Sequence, residues 1–254
     1  MNLSLRQQKI LKVARQQGQV LVDELVNQFS VTPQTIRKDL NELCEKGVLG
    51  RVHGGAVLAS GIANVGYEQR QHIAFSEKQS LAQLCARHIP DNSSLFINIG
   101  TTTEAVANAL LNHRDLMVVT NNLNVANILL QNPGFEIIVA GGVLRHSDRA
   151  IIGEATVDFV RQFRLDYAVV GISALDEDGT LLDYDYREVK VTQAILQSAR
   201  QTCLVTDKSK LERKAPVRVG HVSQLSDLFM DELPSAELRE VCQQHEVNVH
   251  TVIG

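Results

Sequence analysis

The sequence predicts an α/β fold in two parts: a small, mostly helical head and a larger body built on a mainly parallel sheet. Three observations support this. Apolar residues recur at helical spacing through the first fifty or so positions. From Leu95 onward, short apolar runs alternate with helix-like stretches, the pattern of a parallel sheet covered on both faces. Between the two lies Leu-Ala-Ser-Gly-Ile-Ala-Asn-Val-Gly (58–66), small and flexible in composition. The expected boundaries are a head at 1–57, a linker at 58–75 and a body at 76–254. A chain of 254 residues, 44% hydrophobic, is long enough for one small and one medium domain.

The head reads as follows. Residues 6–17 form a helix with Ile10, Leu11, Val13 and Ala14 on one side, stopped by Gly18. Val20 and Leu21 are extended. Residues 22–29 form a second helix with Leu25, Val26 and Phe29 inward, and Ser30–Val31 is a turn. The next stretch, V-T-P-Q-T-I-R-K-D-L-N-E-L (31–43), is a third helix with its entry. Thr32 suits the cap and Pro33 the first helical position, where no N–H is needed. Ile36, Leu40 and Leu43 make its apolar face. Gln34, Thr35, Arg37 and Lys38 are left to point outward near its amino end. Those residue types hydrogen-bond bases and phosphates, and recognition helices read bases from their N-terminal residues. An amphipathic helix with a solvated charged face is the alternative for this stretch taken by itself. Lys46 and Gly47 close the helix, and 48–57 fits a hairpin wing. Arg51 and His53 sit in that wing within reach of a phosphate backbone, although a solvated turn suits His53 equally well. The helix-turn-helix then spans about 20–39.

Charge agrees with this division. Residues 1–57 hold eight basic against five acidic side chains, a net +3, and the remainder carries −7 of the total −4. A basic head on an acidic body fits a duplex-DNA-binding module joined to a globular partner domain.

In the body, helices are expected at 77–89, from 101 to 111, from 122 to about 130, and at 155–163, 186–198 and 235–245. Strands are expected at 95–99, 117–119, 135–140, 167–171, 202–206, 228–230 and 247–252. Ligands of parallel-sheet proteins bind at the carboxyl ends of the strands, and polar residues gather there. Gly100-Thr101-Thr102-Thr103 joins a strand to a helix. Its glycine permits close approach, its hydroxyls can donate, and the helix start offers N–H groups to an anion such as phosphate. Helix capping by the threonines is the plainer alternative. Thr120-Asn121, Gly141-Gly142, Gly171 and Asp207-Lys-Ser-Lys210 lie at further strand ends. Lys208 or Lys210 would neutralise a phosphate as a point charge, unless both are surface lysines. Asp166 opens its strand and reads as structural.

Neither G-x-x-x-x-G-K-[ST] nor G-x-G-x-x-G occurs, so no nucleotide cofactor is expected. Cys44, Cys85, Cys203 and Cys242 form no Cys-x-x-Cys pair. They read as reduced, mostly core thiols of a cytoplasmic protein, and no metal site is expected. The apolar runs are too short to span a bilayer, and no signal segment is apparent at the start.

The run at 31–43, followed by Arg51-Val-His-Gly-Gly-Ala56, resembles the winged helix-turn-helix of the DeoR family of bacterial transcriptional regulators. The resemblance continues through I-G-T-T-T-E-A-V-A-N-A-L-L-N-H, V-T-N-N-L-N-V-A-N and I-I-G-E-A-T-V-D-F, and covers nearly the whole chain. It implies a non-enzymatic repressor of a carbon-catabolic regulon that binds double-stranded operator DNA as a dimer or tetramer. It also implies a body related in fold to ribose-5-phosphate isomerase that senses a phosphorylated sugar or polyol. Glycerol 3-phosphate is the effector the resemblance favours, with another sugar phosphate as the alternative. The family's D-x-S-K pattern selects Lys210 over Lys208, and its E-A-x-V-K pattern brings in Glu188. Two departures stand out. Val170 and Ser173 occupy positions where the isomerases have carboxylates, so proton shuttling is not expected. Thr192 replaces the family's lysine, and Lys190 would project from a different helical face.

Overall fold

The computed structural model describes residues 3–17, 19–46, 48–52, 54–58, 67–72 and 74–252. The chain divides into two compact units, Met1–Ala74 and Phe75–Gly254.

In the first unit, α1 (Leu5–Gln17) is followed by β1 (Gln19–Leu21), α2 (Val22–Phe29), α3 (Pro33–Glu45), β2 (Leu49–Val52) and β3 (Gly55–Leu58), with α4 (Tyr67–His72) last. The three strands pair antiparallel in the order β1-β3-β2. One apolar cluster holds the unit together. It draws Ile10, Leu11 and Ala14 from α1, Leu25 from α2, Ile36, Leu40 and Leu43 from α3, and Leu49 and Ala56 from the wing. Ser30 takes the left-handed conformation (φ 51°) that ends α2 and aims the chain into α3. Gly55 is required where β3 crosses β1, because a Cβ there would lie 2.1 Å from the Val20 carbonyl oxygen. The expected helix stops at Gly18 and Gly47, and residues 59–66 of the expected linker, fall outside the described residues.

The second unit opens with α5 (Phe75–His88), then β4 (Ser94–Ile97), α6 (Thr101–Ala109), β5 (Met117–Thr120), α7 (Leu123–Leu129) and β6 (Glu136–Val139). A hairpin of β7 (Val143–Arg145) and β8 (Ala150–Ile152) precedes α8 (Glu154–Val160) and β9 (Leu165–Val170). There follow β10 (Ala174–Leu175), β11 (Thr180–Asp183), α9 (Tyr186–Gln197), β12 (Ala199–Val205), β13 (Val217–His221), β14 (Asp227–Met230), α10 (Ala236–Gln244) and β15 (Asn248–Thr251).

The main sheet has seven strands, order β15-β14-β12-β9-β4-β5-β6, and every pairing is parallel. Its central strands are buried on both faces, which explains their uninterrupted apolar runs. One core cluster packs α8, α9 and α10 on one face. A second packs α5, α6 and α7 on the other. Two antiparallel additions were not expected from the sequence: the β7–β8 hairpin and a small sheet of order β10-β11-β13. Their strands are two to five residues long, too short for a period-two pattern to register.

Candidate functional site

Helix α3 presents its outer face near its amino end. Thr32 caps the helix, its Oγ1 accepting from the Thr35 N–H at 3.3 Å, with Pro33 in the first turn. The Thr32 and Thr35 hydroxyls also bond each other at 2.9 Å. Gln34, Arg37 and Lys38 are exposed, and Thr35 is half-buried. The intervening Asp39 turns inward, buried, and pairs with Arg6 of α1. Beside it, Gln7 donates to Glu42 at 2.6 Å. Polar pairs therefore set the roll of α3 from within, and its outward side chains take no part in the core. Arg51 lies in β2, and His53 falls outside the described residues.

In the second unit the carboxyl ends of the strands carry a charged cluster. Gly100 is the residue before α6, with φ +144°, a conformation that favours glycine. It provides no side-chain cap. The Thr103 hydroxyl does not fill that role: it donates to the Asn98 and Gly100 carbonyls at 2.8 Å each. Thus no side-chain cap bond closes the start of α6. The neighbouring α7 is different. There Asn122 Oδ1 accepts from the Asn124 and Val125 N–H groups at 2.9 and 3.4 Å, so that helix start is closed by its own chain. Of these two helix starts, only that of α7 has a side-chain cap.

Lys78 of α5 reaches this opening. Its side chain is buried, and its Nζ donates to Thr101 Oγ1 at 2.9 Å. Across from it, Asp207 follows β12. Burial pushes the Asp207 carboxyl up, but Lys210, its bond to Ser209, Arg213 and Lys78 together outweigh burial and hold it below the usual carboxylate range. Three cations thus act on one buried carboxylate, and one of them, Lys78, also bonds Thr101 at the start of α6. Arg213 is itself buried, as are Ser173 and Asp183, the former donating to the latter at 2.9 Å. Two buried polar atoms at these strand ends, Asn121 Oδ1 and Thr206 Oγ1, have no hydrogen-bond partner among the described residues. Such atoms are the ones a bound polar group or water satisfies.

The remaining expected residues are placed as follows. Thr102 is buried on the first turn of α6. Thr120 Oγ1 is occupied within the fold, donating to the Ile97 carbonyl at 2.7 Å. Asn121 Nδ2 donates to the Ile151 carbonyl at 3.0 Å. Gly141 is exposed, its carbonyl accepting from Thr156, and Gly171 is clasped by Asn98 through its N–H at 3.0 Å. Glu188 belongs to a second cluster, where Arg145 binds Asp148, Asp185 and Glu188 together. Burial works against the Arg145 charge, yet Asp148 and Glu188 raise its pKa. Thr192 bonds back to the Glu188 carbonyl at 3.2 Å, and Lys190 pairs with exposed Glu154 of α8. Sequence reasoning missed Lys78, Arg145 and Arg213. None of the three belongs to a sequence motif, and only the tertiary fold shows what each meets.

The comparisons with known proteins agree with this geometry. A model of the DeoR-like helix-turn-helix domain matches residues 6–61, and one of the DeoR C terminal sensor domain matches residues 73–232. The glycerol-3-phosphate regulon repressor of Escherichia coli (strain K12) is 47% identical over 249 residues, covering 98% of this chain and 99% of that one. The chain belongs to the DeoR family of helix-turn-helix transcriptional regulators.

Other full-length relatives of this DeoR-family chain include the glycerol-3-phosphate regulon repressor of Haemophilus influenzae, 51% identical over 244 residues, covering 96% of this chain and 95% of that one. The HTH-type transcriptional repressor CsqR of Escherichia coli (strain K12) is 42% identical over 244 residues, covering 96% and 94%. Among solved structures, ribose 5-phosphate isomerase A of Methanocaldococcus jannaschii overlaps with a TM-score of 0.41 at 12% identity, over 54% of this chain and 55% of that one. That overlap is too loose to bear on chemistry. The domain pair and the relatives are those of a DNA-binding regulator rather than a catalyst. Among the described residues no helix is long and apolar enough to cross a membrane.

Proposed function

We propose that this DeoR-family chain represses a carbon-catabolic regulon and releases its operator when a phosphorylated metabolite occupies the Lys78–Thr101 opening. In this reading Arg37, Lys38 and Arg51 hold DNA phosphates, and His53 is a further phosphate contact. Gln34 and Thr35 lie nearest the bases, and Thr32 fixes the helix end. Subunits pair, as dimers or tetramers, because paired half-sites multiply affinity. The effector shifts the DNA-competent population only by its differential affinity for the two states.

The observation that supports the sensing role most is Lys78 at the start of α6, which has no side-chain cap bond, with Lys210 and Arg213 acting on the same Asp207 as Lys78. A phosphate monoester would meet N–H groups and fixed cations there together. Glycerol 3-phosphate is the favoured effector, since the relatives at 47% and 51% identity are named for its regulon. A different sugar phosphate is the second reading, supported by Thr192, whose hydroxyl bonds its own helix where the family has a lysine.

A gel shift on the promoter region next to the gene encoding the chain tests the whole reading. A retarded band is expected at low salt, and glycerol 3-phosphate should dissolve it. No band with folded protein would overturn operator binding. Release by another sugar phosphate, with glycerol 3-phosphate inert, would replace the effector while keeping the mechanism. Sedimentation of the free protein reads the subunit number.

A further inference from the structure

The amino ends of the strands, remote from the phosphate-suited cluster, hold a second constellation that repression does not use. We propose that His88, Asp227 and His250 form a Zn²⁺ site. The three residues come from different elements: His88 ends α5, Asp227 opens β14, and His250 lies in β15. In the parallel β14–β15 pair, Asp227 is opposite Asn248 and Phe229 opposite His250, so Asp227, Phe229 and His250 share one face. Helix α5 covers that face, through Cys85 and Leu81, and brings His88 over the strand ends.

The donor atoms already converge. His250 Nε2 is 2.8 Å from Asp227 Oδ1, and His88 Nε2 is 3.5 Å from Asp227 Oδ2. All three ligand atoms lie within 4.8 Å of one another. Bond lengths of Zn²⁺ to nitrogen and oxygen place tetrahedral ligand atoms about 3.4 Å apart, so small side-chain rotations bring the three into place. The rings are held for this by Phe229. His250 stacks on it at 4.6 Å with planes 15° apart, and His88 meets its edge at 5.5 Å. Asn248 Nδ2 donates to Asp227 Oδ1 at 3.3 Å, an outer bond that orients the carboxylate.

Exposure and chemistry select the ion. The Asp227 side chain is 3% exposed, whereas His88 and His250 are 35% and 29% exposed. The carboxylate is buried, and the imidazoles leave a solvent-facing side for entry and for water at a remaining position. Two imidazoles and one carboxylate suit Zn²⁺ or a neighbouring transition metal, not Mg²⁺ or Ca²⁺, which prefer oxygen alone. Occupancy would tie the carboxyl end of α5 to β14 and β15. The other end of that helix carries Lys78, ten residues and about 15 Å away.

Calorimetric titration of ZnCl₂ into tag-free, chelator-treated full-length protein tests the site. One Zn²⁺ per chain is expected, with a rise in melting temperature by mass action. His88→Gln and His250→Gln should each weaken binding by more than the roughly 10–100-fold typical of losing an outer hydrogen bond. Both variants should keep the far-ultraviolet circular dichroism of the parent. Co²⁺ provides a readout that needs no variant: a ligand-field spectrum without a thiolate charge-transfer band is expected. No binding by the parent, equal binding by the His→Gln variants, or a thiolate band implicating Cys85 or Cys203 would each overturn the assignment. In those cases the trio is a carboxylate hydrogen-bonded by His250, with His88 beside it, and nothing more.

Discussion

The two units place their polar chemistry in opposite ways. On α3, Gln34, Arg37 and Lys38 stand in solvent, while the inward Asp39 and Glu42 are held by Arg6 and Gln7. In the second unit the polar groups are interlocked: Lys78, Asp207 and Arg213 are buried, and Arg145 holds three carboxylates. A solvent-facing surface has no need to pay into the core, whereas buried charged groups must be paired with one another to be tolerated there. Substitutions on the first face should therefore change affinity alone, and substitutions in the second should change stability as well.

The largest effect that would sharpen this contrast is expected at Arg145. Arg145→Ala leaves Asp148, Asp185 and Glu188 crowded without their shared cation and should cost roughly 3 kcal/mol. Urea denaturation reads it, and an unchanged midpoint would show that the cluster is ornamental. By contrast, Arg37→Ala combined with Lys38→Ala should lower operator affinity on the order of 100-fold and flatten the salt dependence, because phosphate contacts are lost. The melting temperature should stay put. A fall in both quantities would break the comparison.

Acid sensitivity comes next. The bond to Arg187 lowers the Asp185 pKa to about 2 from 3.8, with burial opposing. A depressed carboxylate stabilises the fold above its unfolded pKa and loses that contribution as pH falls through the folded one. Between about pH 4 and pH 2 the unit should lose on the order of 2 kcal/mol from this group. Asp207 acts in the same direction. Asp185→Asn keeps a helix cap yet removes the titration, so its stability curve should be flatter over that window. Lys78→Met should weaken binding of the phosphorylated effector at least ~10-fold, measured by calorimetry, while operator binding without effector persists. The smallest effect is Thr32→Ala, expected to cost about 1 kcal/mol by removing the α3 cap.

The first unit was nearly all legible because its signals are local. A cap, a proline and three apolar residues at helical spacing define α3 without reference to anything distant. The parallel sheet was legible for a related reason: strands buried on both faces read as apolar runs. The β7–β8 hairpin and the β10-β11-β13 sheet were not, since two to five residues cannot display a period. At the strand ends the sequence pointed to Gly100, Thr101 and Lys210, whose loops follow strands directly. It could not point to Lys78, which approaches from a helix more than twenty residues upstream, or to Arg213. Nor did it separate Thr101, which meets Lys78, from Thr103 and Thr120, whose hydroxyls serve backbone carbonyls. Hydroxyl direction is a tertiary property that residue type does not encode.

The inward anchoring of α3 has an evolutionary corollary. Since Asp39 and Glu42 grip α1 from behind, the exposed positions 34, 37 and 38 can be exchanged without retuning the scaffold. Duplicated copies of such a gene could drift toward new promoters one letter at a time, keeping the same architecture while acquiring different addresses.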